Sequence, residues 1–173
     1  MVNYATASKG DYQLICKKME QRAPVVLIVD DEANLREIFG IVLQGVGYTV
    51  QEASDGLVAL NYLETTGAPQ LLLTDIKMPN MLGTQLLEKL VEKNYNVPSI
   101  IISGGGVSVD DYERAKGYVK QMYKQADREF LEGKLNSIGI RDFDDLITLE
   151  KPFKLDRLRD RATLIMSLYD RTP

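Results

Sequence analysis

Asp75 stands where the apolar run Leu71-Leu72-Leu73-Thr74 gives way to a turn-forming stretch, Ile76-Lys77-Met78-Pro79-Asn80. A buried strand that ends on a carboxylate presents it at the edge of a sheet, where ligands reach it. Two more segments share this layout. Val25-Val26-Leu27-Ile28-Val29 runs into Asp30-Asp31, and Leu146-Ile147-Thr148-Leu149-Glu150 runs into Lys151-Pro152. Acids and a lysine delivered by strand ends suit a divalent cation and a phosphoryl group. A carboxylate becomes a useful nucleophile toward phosphorus when a metal and a cation neutralise the incoming phosphoryl oxygens. Mg2+ takes oxygen ligands and keeps several waters, so a couple of carboxylates and a backbone carbonyl suffice. Asp30, Asp31 and Asp75, brought together, would repel one another without a cation. Lys151 offers a point charge to one phosphoryl oxygen, and Ser103 offers a hydroxyl to another. Asp75 is the expected acceptor.

The composition removes several other chemistries. The chain of 173 residues has no histidine. It therefore lacks a Ser-His-Asp or Cys-His arrangement, a histidine-ligated zinc and a phosphohistidine of its own, and any phosphate must come from another molecule. A net charge of −4 argues against an electrostatic grip on DNA or on an anionic membrane. No apolar stretch approaches the roughly 20 residues that span a bilayer, and the first residues do not resemble a signal peptide. The single Cys16 cannot form an intrachain disulfide, which fits a reducing cytoplasm.

The elements that must position these residues follow from periodicity. Short apolar runs alternate with helical patterns from Val25 onward, which predicts a doubly wound, five-stranded parallel α/β sheet. Strands are expected over Val25–Val29, Tyr48–Ala53, Leu71–Thr74, Val97–Ile102 and Leu146–Leu149. The first helix is expected over Asn34–Gln44, burying Leu35, Ile38, Phe39, Val42 and Leu43, with Gly45 and Gly47 stopping it. Ser54-Asp55-Gly56 reads as the turn into a helix burying Leu57, Leu60 and Leu63. Gly83 opens a third helix with Leu86, Leu87 and Leu90 inside. A final helix is striped by Leu155, Leu158, Ala162, Ile165 and Tyr169. Two segments fall outside the alternation: an N-terminal extension, residues 1–23, and an insertion at about 108–145 within a domain spanning 24–173.

Taken with their order, these motifs resemble the receiver domain of two-component response regulators, a flavodoxin-like, CheY-like fold. The resemblance covers about Val25–Ser103 and resumes near Leu146. It implies that Asp30 and Asp31 form the acidic pair, with Asp31 a direct Mg2+ ligand and Asp30 acting through water. It also implies that Thr74-Asp75-Ile76-Lys77-Met78-Pro79 is the phosphoacceptor loop, with the Lys77 backbone carbonyl completing the metal set. Ile102-Ser103-Gly104 resembles the switch hydroxyl and its small neighbour. Lys151-Pro152-Phe153 resembles the family's lysine, proline and aromatic, with a cis Lys151–Pro152 bond, an isomer that proline makes accessible. Many receivers carry an aromatic residue a few positions before that lysine, whereas this chain has Thr148.

Plainer roles exist for each motif. Asp30 and Asp31 could cap the first helix, Asp75 could form a turn, and Lys151 could pair with Glu150 or Asp156. Gly104-Gly105-Gly106 lacks the lysine and hydroxyl that follow in a phosphate-cradling loop and reads as flexible. In the insertion, Tyr112, Ala115, Val119, Met122, Ala126 and Phe130 recur at helical spacing. One helix over 108–132 would be about 37 Å long at 1.5 Å per residue, more than a small α/β domain covers. Its far end, Met122 to Phe130, is expected to pack within the chain, on a second copy as a homodimer, or on a partner.

The expected function is that of a phosphoacceptor response regulator, not an enzyme. It would take phosphate from a sensor histidine kinase or a phosphotransfer protein, with Mg2+, in the cytoplasm. The signal would leave through an unidentified downstream protein, with no direct DNA binding. The alternatives are a receiver-fold interaction module independent of phosphorylation and an aspartate-nucleophile phosphohydrolase. The latter usually has a second aspartate two positions after the nucleophile, where this chain has Glu32 after Asp30 and Lys77 after Asp75.

Overall fold

In the computed structural model, which describes residues 23–168, five parallel strands run in the order β2-β1-β3-β4-β5. They are β1 (Val25–Val29), β2 (Thr49–Ala53), β3 (Leu71–Asp75), β4 (Ser99–Ser103) and β5 (Thr148–Glu150). Strands of a parallel sheet are covered on both faces, so they read as continuous apolar runs. Every residue of β3 and β4 is buried accordingly. The edge strand β2 leaves Thr49, Gln51 and Glu52 exposed. This is the doubly wound α/β fold that the alternation of elements predicts.

Between the strands lie α1 (Ala33–Val46), α2 (Gly56–Thr66) and α3 (Gly83–Glu92). The segment from β4 to β5 contains α4 (Val109–Met122), α5 (Gln125–Glu132), a 3-10 turn (Leu135–Ile138) and α6 (Phe143–Ile147), and α7 (Leu155–Met166) follows β5. Helix α1 packs against α7, while α3 packs against both α2 and α4. Leu86, Leu87 and Leu90 of α3 are fully buried, each contributing about 2 kcal/mol of hydrophobic stabilisation.

Several expected details differ. Helix α1 continues through Gly45 and stops at Gly47, whose left-handed backbone (φ 109°) lets its N–H bond back to Gln44 and Leu43 carbonyls. Ile38, Leu57 and Leu155, expected inside, are 41%, 51% and 41% exposed. Phe39 and Leu158, expected inside on the same helices, are buried, and Ala59 is buried in place of the expected Leu57. Tyr169 and the extension lie outside the described residues.

The insertion is not one long helix. Tyr123 and Lys124 are extended and separate α4 from α5. Tyr123 turns inward: it is buried, its hydroxyl donates to the Ser99 carbonyl at 3.4 Å, and its ring meets Phe143 edge-on at 5.1 Å. The break folds Met122 and Leu131 into the core. Phe130 is half-buried beneath the Lys134 ammonium. Met122 is thus covered by its own chain and Phe130 half-covered, whereas Ala126 is exposed, so packing within the chain, one of the three expected outcomes, accounts for most of the stripe.

The fifth strand also starts later than expected. Leu146 and Ile147 are buried, but they end the short helix α6. Asp142 caps that helix by accepting the Asp145 N–H at 2.8 Å. Arg161, 2% exposed, donates to the Asp145 carboxylate at 2.7 Å and to its carbonyl at 2.9 Å. These contacts hold the backbone helical up to Thr148.

Candidate functional site

The rungs of the sheet bring the charged residues to one edge. Val29 is level with Thr74, and Asp75 with Ile102, while Ser103 is level with Glu150. Asp30 therefore follows β1 level with Asp75, and Lys151 follows β5 just beyond Ser103. The Lys151 N–H bonds to the Ser103 carbonyl at 2.7 Å. The Lys151–Pro152 bond is cis, and Phe153 stacks on Phe39 of α1 at 5.6 Å.

Asp30 is fully buried and Asp75 nearly so. The Lys151 ammonium donates to Asp75 Oδ2 at 2.5 Å and to Asp30 Oδ2 at 3.0 Å. Glu32 lies 3.7 Å from the same ammonium. The remaining oxygens are held by backbone: Asp75 Oδ1 accepts the Lys77 N–H, and Asp30 Oδ1 accepts the Glu32 N–H, both at 2.9 Å. Burial pushes the Asp30 carboxyl above its usual range, against the pull of the Glu32 amide and Lys151. Burial would lower Lys151, but hydrogen bonds to Asp75 and Asp30 outweigh it and hold the ammonium above the ordinary lysine value. Lys151 stays charged.

Asp31 is exposed, and its carboxylate has no hydrogen bond or ion pair among the described residues. It opens onto a cleft of about 600 Å³ that Glu32, Asp75, Lys77, Gly104 and Lys151 also line. Ser103 is buried, and its hydroxyl makes no hydrogen bond among the described residues. It faces a second cavity of about 360 Å³ that shares Gly104, Gly105 and Lys151 with the first. The structure thus brings these residues to one edge, although neither Asp31 nor Ser103 hydrogen-bonds Asp75. The capping role is not used: Glu32 is the N-cap residue of α1, with no side-chain cap.

Two backbone features shape the acceptor loop. Gly83 donates its N–H to the Ile76 carbonyl at 2.9 Å, and a methyl group on it would overlap the Asp75 carbonyl oxygen. Asn80 has φ 61° and donates to Asp55 Oδ2 at 2.8 Å, while Asp55 caps α2 through Leu57 and Val58 N–H groups. Thr148 is also fixed, its hydroxyl donating to the Asp144 carbonyl at 2.7 Å. Asp144 is held in turn by Lys116 and Lys120.

The chemistry of the donor set suits Mg2+. Three acids share one lysine, so negative charge is in surplus, and all potential ligands are oxygens, as Mg2+ requires. Among the described residues no three acidic side chains are already arranged to enclose a metal. Mg2+ retains several waters and does not need such enclosure, so the residues fit the ion.

Sequence reading missed Arg36, which touches the backbone of Asp30 and Asp31, as well as Asn80 and the Arg161–Asp145 pair. Only Asn80 carried a signal, since asparagine in a turn tolerates positive φ.

Residues 26–136 match the model of the response regulator receiver domain, and the chain belongs to that family, whose members are phosphoacceptors in two-component signalling. It is 35% identical over 143 residues to sporulation initiation phosphotransferase F of Bacillus subtilis (strain 168), covering 83% of this chain and 94% of that protein. The alkaline phosphatase synthesis transcriptional regulatory protein SphR of Synechococcus elongatus is 32% identical over 93 residues, 49% of this chain. The match spans only 36% of SphR. The Francisella response regulator 1452 receiver domain shares the fold, with a TM-score of 0.62 at 23% identity, covering 84% of this chain and 98% of that one.

Proposed function

We propose that this chain accepts a phosphoryl group on Asp75 from a sensor histidine kinase or a phosphotransfer protein and passes the signal on through protein contacts. The observation that carries this reading is the junction of Lys151 with Asp75 and Asp30 at an edge of surplus negative charge. Similarity along most of a sporulation phosphotransferase supports a role in passing a phosphoryl group on. No helix among the described residues is long and apolar enough to cross a membrane. The cytoplasm is the compartment in which this reading has the chain meet its histidine kinase or phosphotransfer donor.

Asp31, Asp75 and the Lys77 carbonyl would hold Mg2+, with Asp30 acting through water. Bound there, the ion would neutralise phosphoryl oxygens as a Lewis acid. The chain's residues do the rest. Lys151 and the Lys77 amide orient the Asp75 carboxylate. One of its oxygens attacks phosphorus, an O–P bond forms, and the bond from phosphorus to the donor breaks. The donor leaves with that electron pair. Lys151 then moves from the carboxylate to a phosphoryl oxygen, and the Ser103 hydroxyl donates to another.

Incubation with acetyl phosphate and Mg2+ tests the reading. A single phosphate mass is expected on the wild type and none on Asp75→Asn. Modification that persists in the mutant would overturn the assignment.

A further inference from the structure

Arg36 lies in the first turn of α1 with its side chain only 16% exposed. Its Nη1 donates to the Asp30 carbonyl oxygen at 2.8 Å and reaches that of Asp31 at 3.4 Å. Its Nε donates to Glu52 Oε2 on β2 at 3.0 Å. The β1 ladder ends at Val29, and no backbone N–H among the described residues reaches either carbonyl. The planar guanidinium therefore braces the turn between β1 and α1, and Glu52 of the edge strand holds the guanidinium in place. Lysine could not copy this fork.

We propose that Arg36 is a positioning residue for the acidic pair: by clamping the Asp30 and Asp31 carbonyls to Glu52, it sets where the two carboxylates point and thereby the affinity for Mg2+. The inference rests on the Mg2+ reading above. Asp31 makes it matter most, because no hydrogen bond or ion pair among the described residues orients that carboxylate. Its direction is inherited from the backbone that Arg36 grips. Residues that orient a metal ligand from outside the coordination sphere commonly govern affinity in this way.

Charge and geometry predict opposite signs. Arg36→Ala deletes a positive charge and leaves Glu52 unpaired, and by Coulomb's law alone both changes draw Mg2+ in more tightly. Loss of the clamp weakens binding instead. Arg36→Lys separates the two further, since it keeps the charge and loses the fork.

Calorimetric titration of Mg2+ into wild type, Arg36→Ala and Arg36→Lys, well below their melting temperatures, tests the proposal. Melting curves without Mg2+ establish that each variant is folded. The expected result is about tenfold weaker Mg2+ binding in Arg36→Ala and a smaller loss in Arg36→Lys. If Arg36→Ala does not fold, Arg36→Lys decides, because charge alone predicts no change for it. A folded variant that binds as tightly as wild type, or more tightly, overturns the positioning role and leaves the Mg2+ reading standing. A wild-type chain that takes up no Mg2+ overturns both.

Discussion

The Lys151 ammonium bridges Asp75 and Asp30, lying 2.5 Å from one carboxylate and 3.0 Å from the other. One charge just past the last strand thus holds two buried acids at the ends of two other strands, where the proposed phosphoryl group would arrive. Lys151→Ala removes the ammonium that offsets both carboxylates. Mg2+ binding should tighten, because a more negative site attracts the ion more strongly. The conformational response to phosphorylation should disappear, because the new phosphoryl oxygen has lost its partner. Titration calorimetry and amide NMR spectra with and without phosphodonor measure the two effects. A mutant that shows the full spectral change would refute the switch role.

Asp31 should account for most stabilisation by Mg2+. A ligand that binds only the native state raises its apparent stability. The melting temperature should rise with Mg2+ in wild type and much less in Asp31→Ala. Equal shifts would place the metal elsewhere.

Gly83 presses its backbone against the Asp75 carbonyl. Gly83→Ala should destabilise the domain by about 1–3 kcal/mol, the usual cost of overpacking. Modification of Asp75 by acetyl phosphate should slow as well, because the acceptor loop must shift to admit the methyl. Urea melts and mass spectrometry would report both, and a variant with unchanged stability contradicts the contact.

Asp145 neutralises Arg161, which is 2% exposed. Asp145→Ala leaves a buried guanidinium without its carboxylate and should cost about 3–5 kcal/mol. A loss under 1 kcal/mol in urea melts would mean that Arg157 and Arg161 find other partners.

The same carboxylate links stability to acid pH. Burial would raise the Asp145 carboxyl, but the Arg141 N–H and the charges of Arg161 and Arg141 outweigh it and hold it below its ordinary value. Arg157 also donates to this carboxylate at 3.2 Å, while Asp142 and Asp144 flank it on α6 and its cap. Asp55 is lowered chiefly by the Val58 N–H and then by Asn80. Both groups bind fewer protons folded than unfolded, so the stability they contribute is present above the ordinary value of 3.8. That stability is lost as pH falls through their folded values. The urea midpoint should drop below about pH 4, and less steeply in Asp145→Asn or Asp55→Asn, where one linked group is missing.

The charged ends of the strands were legible in the linear chain because a parallel strand buried on both faces must be apolar until it reaches the edge. Val25–Val29 before Asp30 and Leu71–Thr74 before Asp75 obey that rule, and both carboxylates meet the Lys151 ammonium. Helix α3 was legible for a related reason, since its leucines recur at helical spacing and all face inward. Other features depended on neighbours remote in sequence. The break between α4 and α5 follows from Tyr123 finding Ser99 and Phe143. The late start of β5 reflects Arg161 gripping Asp145 from 16 residues away. Arg36 touches the acidic pair through backbone carbonyls, which leave no mark on side-chain pattern. Local hydrophobic period records which residues meet the core. Which helix breaks, where a strand begins and which charge braces a ligand are decided by contacts that form only when distant segments meet.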